Sequence, residues 1–271
     1  MSDGIVVTKK NAVALITMNN AATMNAITDP VMLDDAVNAF NDIEQDKSIR
    51  VCVLTGVENA FCSGGNVKDM LNREKMFAGE PLELQERYRK GIHRLSKLMY
   101  NFEKPLIAAV NGAAVGAGFD LAMLCDIRIA STHARFGSTF INLAVIPGDG
   151  GAWLLKKVVG AQRAAELVLT GRIFKADEAL DMGLILKVVD KEQLLPEAMA
   201  YADVIASKSS DALRIAKRLL NSTDRLGFED HLELCAANQA MMHHTPEHEE
   251  AVKKFFNKNY TEFLLGYMGK Y

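Results

Sequence analysis

The sequence is poor in cysteine, and Cys52, Cys62, Cys125 and Cys235 include no CxxC pair. That spacing excludes a disulfide framework and a paired-thiol zinc site, and it fits a reducing, intracellular compartment. Long apolar runs are also missing. No stretch approaches the ~20 consecutive apolar residues of a membrane-spanning helix, and the N-terminus has no basic segment leading into a long apolar one. The expected location is therefore cytoplasmic, with no membrane partner. Neither sign of charge dominates: 31 Lys plus Arg stand against 34 Asp plus Glu, a net charge of −3. Without a basic stripe to displace counterions from phosphates, nucleic acid is not an expected partner. Internal repeats, low-complexity segments and proline-rich linkers are absent as well.

What the chain has is length and apolar content, 271 residues of which 49% are hydrophobic. A chain of this size buries roughly three quarters of the surface its unfolded form exposes, so it needs no metal or disulfide to fold. Two short β-branched runs, Ile5 to Val7 and Ala12 to Met18, flank the polar turn Lys9-Lys10-Asn11 and predict a hairpin. Asp29-Pro30 then reads as an N-cap with proline at the first helical position, and Leu33, Ala36, Val37, Phe40 and Ile43 recur at helical spacing. Residues 50–55 are apolar on both faces, as in a strand covered on each side. The middle of the chain repeats this alternation. A helical face of Ile92, Leu95, Met99 and Phe102 precedes an apolar run from Leu106 to Val110, and a helix from Phe119 to Leu124 precedes a strand from Ile127 to Ala130. A largely parallel α/β core follows. Beyond about Gln162 strand signals fade apart from Leu184 to Val189, and helical patterns dominate from Glu192 onward.

Two glycine-rich turns, FCSGGN and NGAAVGAGFD, each sit where a buried strand ends. Glycine there lets the backbone approach a ligand and turn its N–H outward. Two such amides aimed at one carbonyl oxygen stabilise the negative charge that develops on it, each typically by about 3 kcal/mol. The second turn opens a helix, whose dipole acts in the same sense. Taken singly, either turn is also ordinary punctuation between strand and helix. A nucleotide-phosphate cradle uses the same elements, but GAGFDL lacks the third glycine of GxGxxG and no Gly-Lys-Ser or Gly-Lys-Thr follows either turn.

The ordered set Met24-Asn25-Ala26, AFCSGGNVKDM, KPLIAAVNGAAVGAGFDLAMLCDIRIAS, ARFGS, VIPGDGGAWLL and LTGRIFKADEALDMGLILKVV resembles the enoyl-CoA hydratase/isomerase, or crotonase, family over nearly the whole chain. The resemblance implies an α/β fold: a crotonase-like (ClpP/crotonase) spiral ββα core over residues 1–195, and a C-terminal helical trimerisation subdomain over 196–271. It further implies an acyl-CoA thioester substrate, a homotrimer or a hexamer built as a dimer of trimers, and neither metal nor redox cofactor, coenzyme A entering only with the substrate. Carried over by position, the oxyanion hole is made by the amides of Gly65 and Ala117. The CoA contacts fall on Cys62, Ser63, Asn66, Val67 and Lys68, with Phe255 and Lys258 matching a late aromatic and lysine given by a neighbouring subunit. Phe140 and Trp153 are candidates for the acyl pocket.

Two departures bear on mechanism. Hydratases of this family carry two glutamates, and the matching positions here are Asp120 and Phe140. The first keeps an acid one methylene shorter; the second replaces an acid with apolar volume. Asp149 is a replacement candidate, since some isomerases and dehalogenases of the family place a catalytic aspartate in this loop, one residue earlier. It reads equally well as an N-cap for the helix that follows. Catalytic candidates are thus Asp120 and Asp149, and Asp126 reads as a structural carboxylate. The implied reaction is hydration of a 2-enoyl-CoA. Isomerisation of a 3-enoyl to a 2-enoyl-CoA by one aspartate base is an alternative, as is a non-catalytic acyl-CoA-binding or RNA-binding member.

Other residues invite ligand readings. His243, His244 and His248 cluster, but Pro246 interrupts them and no HExxH accompanies them, so they read as surface residues. Cys62 reads as a small packed hydrophobe. Met70, Met76 and Met99 either line a pliable acyl pocket or fill core space, and spacing does not separate these.

Overall fold

A computed structural model describes residues 4–257. The chain opens with β1 (Ile5–Lys10) and β2 (Val13–Met18), paired antiparallel with Ile5 opposite Met18. The hairpin is as expected, but its turn lies at Asn11 and Ala12, because Lys9 and Lys10 extend the first strand. Next comes α1 (Pro30–Gln45), whose Asp29 cap accepts from the amides of Val31 and Met32. There follow β3 (Val51–Gly56), β4 (Ala60–Cys62), α2 (Val67–Asn72), α3 (Pro81–Lys90), α4 (Ile92–Asn101), β5 (Leu106–Val110), β6 (Ala113–Val115) and α5 (Ala117–Met123). The next elements are β7 (Ile127–Ser131), β8 (Arg135–Gly137), α6 (Gly151–Thr170), β9 (Phe174–Lys175), α7 (Ala176–Asp181), β10 (Lys187–Val189) and α8 (Lys191–Ala206).

The strands form two sheets, one of six strands in the order β1-β2-β3-β5-β7-β10 and one of four in the order β4-β6-β8-β9. From β2 onward the larger sheet is parallel. Its central strands β3 and β5 are covered on both faces and divide their side chains by the period of two. Cys52, Leu54, Leu106 and Ala108 face the core filled by α1 and α4, whereas Val51, Val53, Ile107 and Ala109 meet Leu194, Ala198 and Ala202 of α8. The second sheet escapes the sequence pattern. Its strands are two or three residues long, too short for alternation to register. Asp126 is structural as expected, its Oδ2 accepting from the Leu106 amide at 2.7 Å.

The chain divides into two compact units, the first ending at Ala206 and the second beginning at Ser207. The division expected between residues 195 and 196 instead falls within α8, which belongs to the first unit because its small-residue face packs on the large sheet. The second unit contains α9 (Ser210–Ser222), α10 (Phe228–Met242) and α11 (Pro246–Asn257). Pro246 begins α11, which separates His248 from the helix ending just before His243, as the proline implied. Among the described residues no helix is long and apolar enough to cross a membrane.

Phe40 of α1 meets Phe102 edge-on with ring centroids 5.3 Å apart, and both are 1% exposed. Phe40→Ala is expected to destabilise the protein by about 3–5 kcal/mol. In urea unfolding this appears as a lower midpoint with an unchanged slope; an unchanged midpoint would contradict the packing described.

Candidate active site

Strands β4 and β6 are parallel neighbours in the small sheet, with Cys62 opposite Ala114. Their C-terminal ends therefore deliver both glycine turns to one place. After β4 the chain passes through Ser63, Gly64 and Gly65 to Asn66, whose side chain caps α2 by accepting from the Lys68 amide at 3.0 Å. The turn is pinned from outside: the Ser63 amide donates to Met24 O and the Ile27 amide to Gly64 O, each at 3.0 Å. After β6, Gly116 donates to Gly137 O at 3.0 Å and adopts φ 54° and ψ −128°, and α5 begins.

The turns pack directly on one another. A Cβ at Gly118 would lie 2.0 Å from Cys62 O, and one at Gly64, where φ is +84°, would lie 2.9 Å from the Ala117 nitrogen. Only glycine permits this approach. The amides of Gly65 and Ala117 donate to no acceptor among the described residues. Both residues line one cavity of about 910 Å³, within the size range of small-molecule sites. Its apolar walls include Met70, Met76, Phe77, Phe140, Leu143 and Val145.

Asp149 lines the same cavity and is 8% exposed. Burial raises its carboxyl to about 6, against a partial lowering by His93. It does not cap α6: Gly150 occupies the cap position without a side-chain bond, and Asp149 Oδ1 has no hydrogen-bond partner. Its loop is held from α4, where His93 Nε2–H donates to Gly148 O at 2.8 Å. Asp120 differs from the expectation of a catalytic acid. It is 1% exposed, does not line the cavity, and lies under Gly151, where a Cβ would meet its Oδ1 at 1.9 Å. Burial first, then the charge of Asp149, push its carboxyl well above the usual range, with the Gly151 amide opposing in part.

The other predicted site residues divide. Phe140 and Val67 line the cavity. Trp153 does not; it stands half exposed, edge-on to Tyr100 at 5.5 Å with the Lys157 ammonium over its ring. Cys62 points into the core, its thiol accepting from the Gly64 amide at 3.4 Å and pushed up to about 12 by burial, so the side chain offers CoA nothing. The Ser63 hydroxyl is occupied by Thr23 O at 3.0 Å and the Asn66 side chain by its capping bond, while Lys68 is exposed. Phe255 lies on α11, partly exposed and edge-on to Phe256; Lys258 lies outside the described residues. Met70 and Met76 line the cavity and Met99 fills the core, so both readings of the methionines apply. Tyr88 and Thr28, also on the cavity wall, went unforeseen, because neither belongs to a motif. Among the described residues no group of three or more His, Cys, Asp or Glu is arranged to hold a metal ion.

The unpaired amides of Gly65 and Ala117 and the buried carboxylate of Asp149 thus line one largely apolar cavity. The profile of the enoyl-CoA hydratase/isomerase family matches residues 8–264, and the chain belongs to that family. It is 34% identical to a crotonyl-CoA hydratase of Syntrophomonas wolfei over 97% of this chain and 98% of that protein. A probable enoyl-CoA hydratase of Rhizobium meliloti is 36% identical over 96% and 97%. The solved enoyl-CoA hydratase of Bacillus anthracis superposes with a TM-score of 0.88 at 30% identity, covering 94% of this chain and 96% of that one. The fold is the crotonase fold, as the sequence resemblance implied.

Because both carboxyls bind protons more tightly folded than unfolded, they lower stability as pH rises from the ordinary aspartate value near 3.8 through their folded values. Asp149→Asn is expected to gain stability over wild type progressively between pH 4 and 7, by up to roughly 3 kcal/mol. Paired denaturation curves across that window check the sign; a gain that shrinks with rising pH would contradict the assignment.

Proposed function

We propose that this acyl-CoA enzyme of the enoyl-CoA hydratase/isomerase type hydrates 2-enoyl-CoA thioesters, with Asp149 as its base. The observation that carries the proposal is the placement of Gly65, Ala117 and Asp149 on one cavity wall system. The thioester oxygen accepts from the two free amides. As electrons move toward that oxygen the amides bind it more strongly, which lowers the barrier to an enolate. Asp149 takes a proton from water as oxygen bonds to the β carbon, then returns it to the α carbon. Its raised pKa suits both halves of that exchange near neutral pH.

A second reading, the 3-enoyl to 2-enoyl shift, is favoured because Asp149 is the one buried carboxylate on the cavity wall, Glu80 being exposed, and one base that removes and returns a proton is enough for it. In both readings the CoA portion lies along the turn and Val67 and Lys68, reached by backbone groups of Cys62, Ser63 and Asn66 where their side chains are engaged. Coenzyme A is proposed to be the only cofactor-like group, carried by the substrate. A homotrimer, or a dimer of trimers, would let a neighbouring copy add Phe255 and Lys258. Fatty-acid breakdown in the cytoplasm is the proposed setting.

The test follows hydrated and shifted products separately for 2-enoyl and 3-enoyl-CoA. Asp149→Asn is expected to lower kcat/KM by about 10²–10⁴-fold, the range for a lost general base, and Asp120→Asn by far less. Because the base must be ionised, wild-type kcat/KM should fall tenfold per pH unit below about 6. Full turnover in Asp149→Asn, or a profile flat through this region, would refute the assignment.

A further inference from the structure

Adding water across a double bond demands more than a base. The water must present a lone pair to the β carbon, and one carboxylate fixes only one of its two hydrogens. Phe140 offers no acceptor for the second, and Asp120 is closed off behind Gly151. Thr28 lines the cavity, but its Oγ1 already accepts from the Asn66 amide at 3.0 Å, and the acceptors Glu80 and Gln85, also on the wall, are exposed where Asp149 is buried.

Tyr88 of α3 lines the cavity together with Asp149. Its ring lies against the residue before that aspartate, where a Cβ at Gly148 would sit 3.6 Å from Cε1. The His93 ring, whose Nε2 holds Gly148 O, is 5.9 Å from it on the other side. The Tyr88 hydroxyl makes no hydrogen bond among the described residues. Burial and then the charge of Asp149 raise its pKa, so the phenol remains neutral and keeps its lone pairs at working pH.

We propose that Tyr88 is the second anchor of the attacking water, accepting one hydrogen while Asp149 accepts the other. The proposal rests on Asp149 being the base. The water oxygen bonds to the β carbon, the π pair moves onto the thioester oxygen held by Gly65 and Ala117, and the water proton passes to Asp149. Asp149 then returns that proton to the α carbon as the enolate collapses. The net change is the addition of one water, with nothing oxidised or reduced. The double-bond shift consumes no water and makes no use of this anchor, so the tyrosine bears on which reaction the site performs.

The test is the ratio of hydrated to shifted product in wild type and Tyr88→Phe, both shown folded by circular dichroism and thermal melting. Loss of the anchor should lower that ratio by about tenfold or more, as expected for losing a positioned hydrogen-bonding group in a reacting site. A merely structural role would lower both rates together and leave the ratio unmoved. An unmoved ratio, or a wild-type protein that forms no hydrated product, overturns the proposal. Exchange of the α hydrogens of butyryl-CoA in deuterated water, followed by NMR, tests the underlying base separately. If Asp149→Asn exchanges them at the wild-type rate, Asp149 is not the base and the water-anchor scheme falls with it, whatever Tyr88→Phe does.

Discussion

The site depends on the direct contact between two backbone turns. Strands β4 and β6 run parallel and end together, and Gly118 seats against Cys62 O at a distance no side chain would allow. This contact, together with the bonds from Met24, Ile27 and Gly137, fixes the turns rigidly. In the proposed mechanism that fixed placement gives the two free amides their value, because donors already in place need no reorganisation as charge builds on the substrate. The large sheet and its helices serve as the frame that holds the small sheet in register.

Burial then decides what each carboxylate can do. Burial makes both Asp120 and Asp149 costly to ionise, and the charge of Asp149 adds to that cost at Asp120. Asp120, shut beneath Gly151, is held toward its protonated form. Asp149 reaches the cavity, and its raised pKa suits the base role proposed for it.

Much of this was legible in the residues. FCSGGN and NGAAVGAGFD located the free amides, because glycine at the end of a buried strand marks a backbone that approaches something closely. The long strands and the Asp29-capped helix followed from periodicity and capping. The small sheet did not, since two or three residues cannot display alternation. Trp153, a candidate for the acyl pocket, packs outside it with Tyr100 and Lys157. Cys62 belongs to the correct turn but points its thiol into the core. Tyr88 and His93 gave no signal because their contacts with Gly148 depend on α3 and α4 packing against that loop, a tertiary fact that local pattern does not encode.

The most direct test of the account is the carbonyl stretch of a bound enoyl-CoA labelled with carbon-13 at the thioester, read by difference infrared spectroscopy. Two amides gripping that oxygen predict a band at lower frequency than the same thioester shows in water, reflecting polarisation toward the enolate. A band unmoved from its aqueous position would mean that the Gly65 and Ala117 amides do not converge on the substrate, and the mechanism built on them would be wrong.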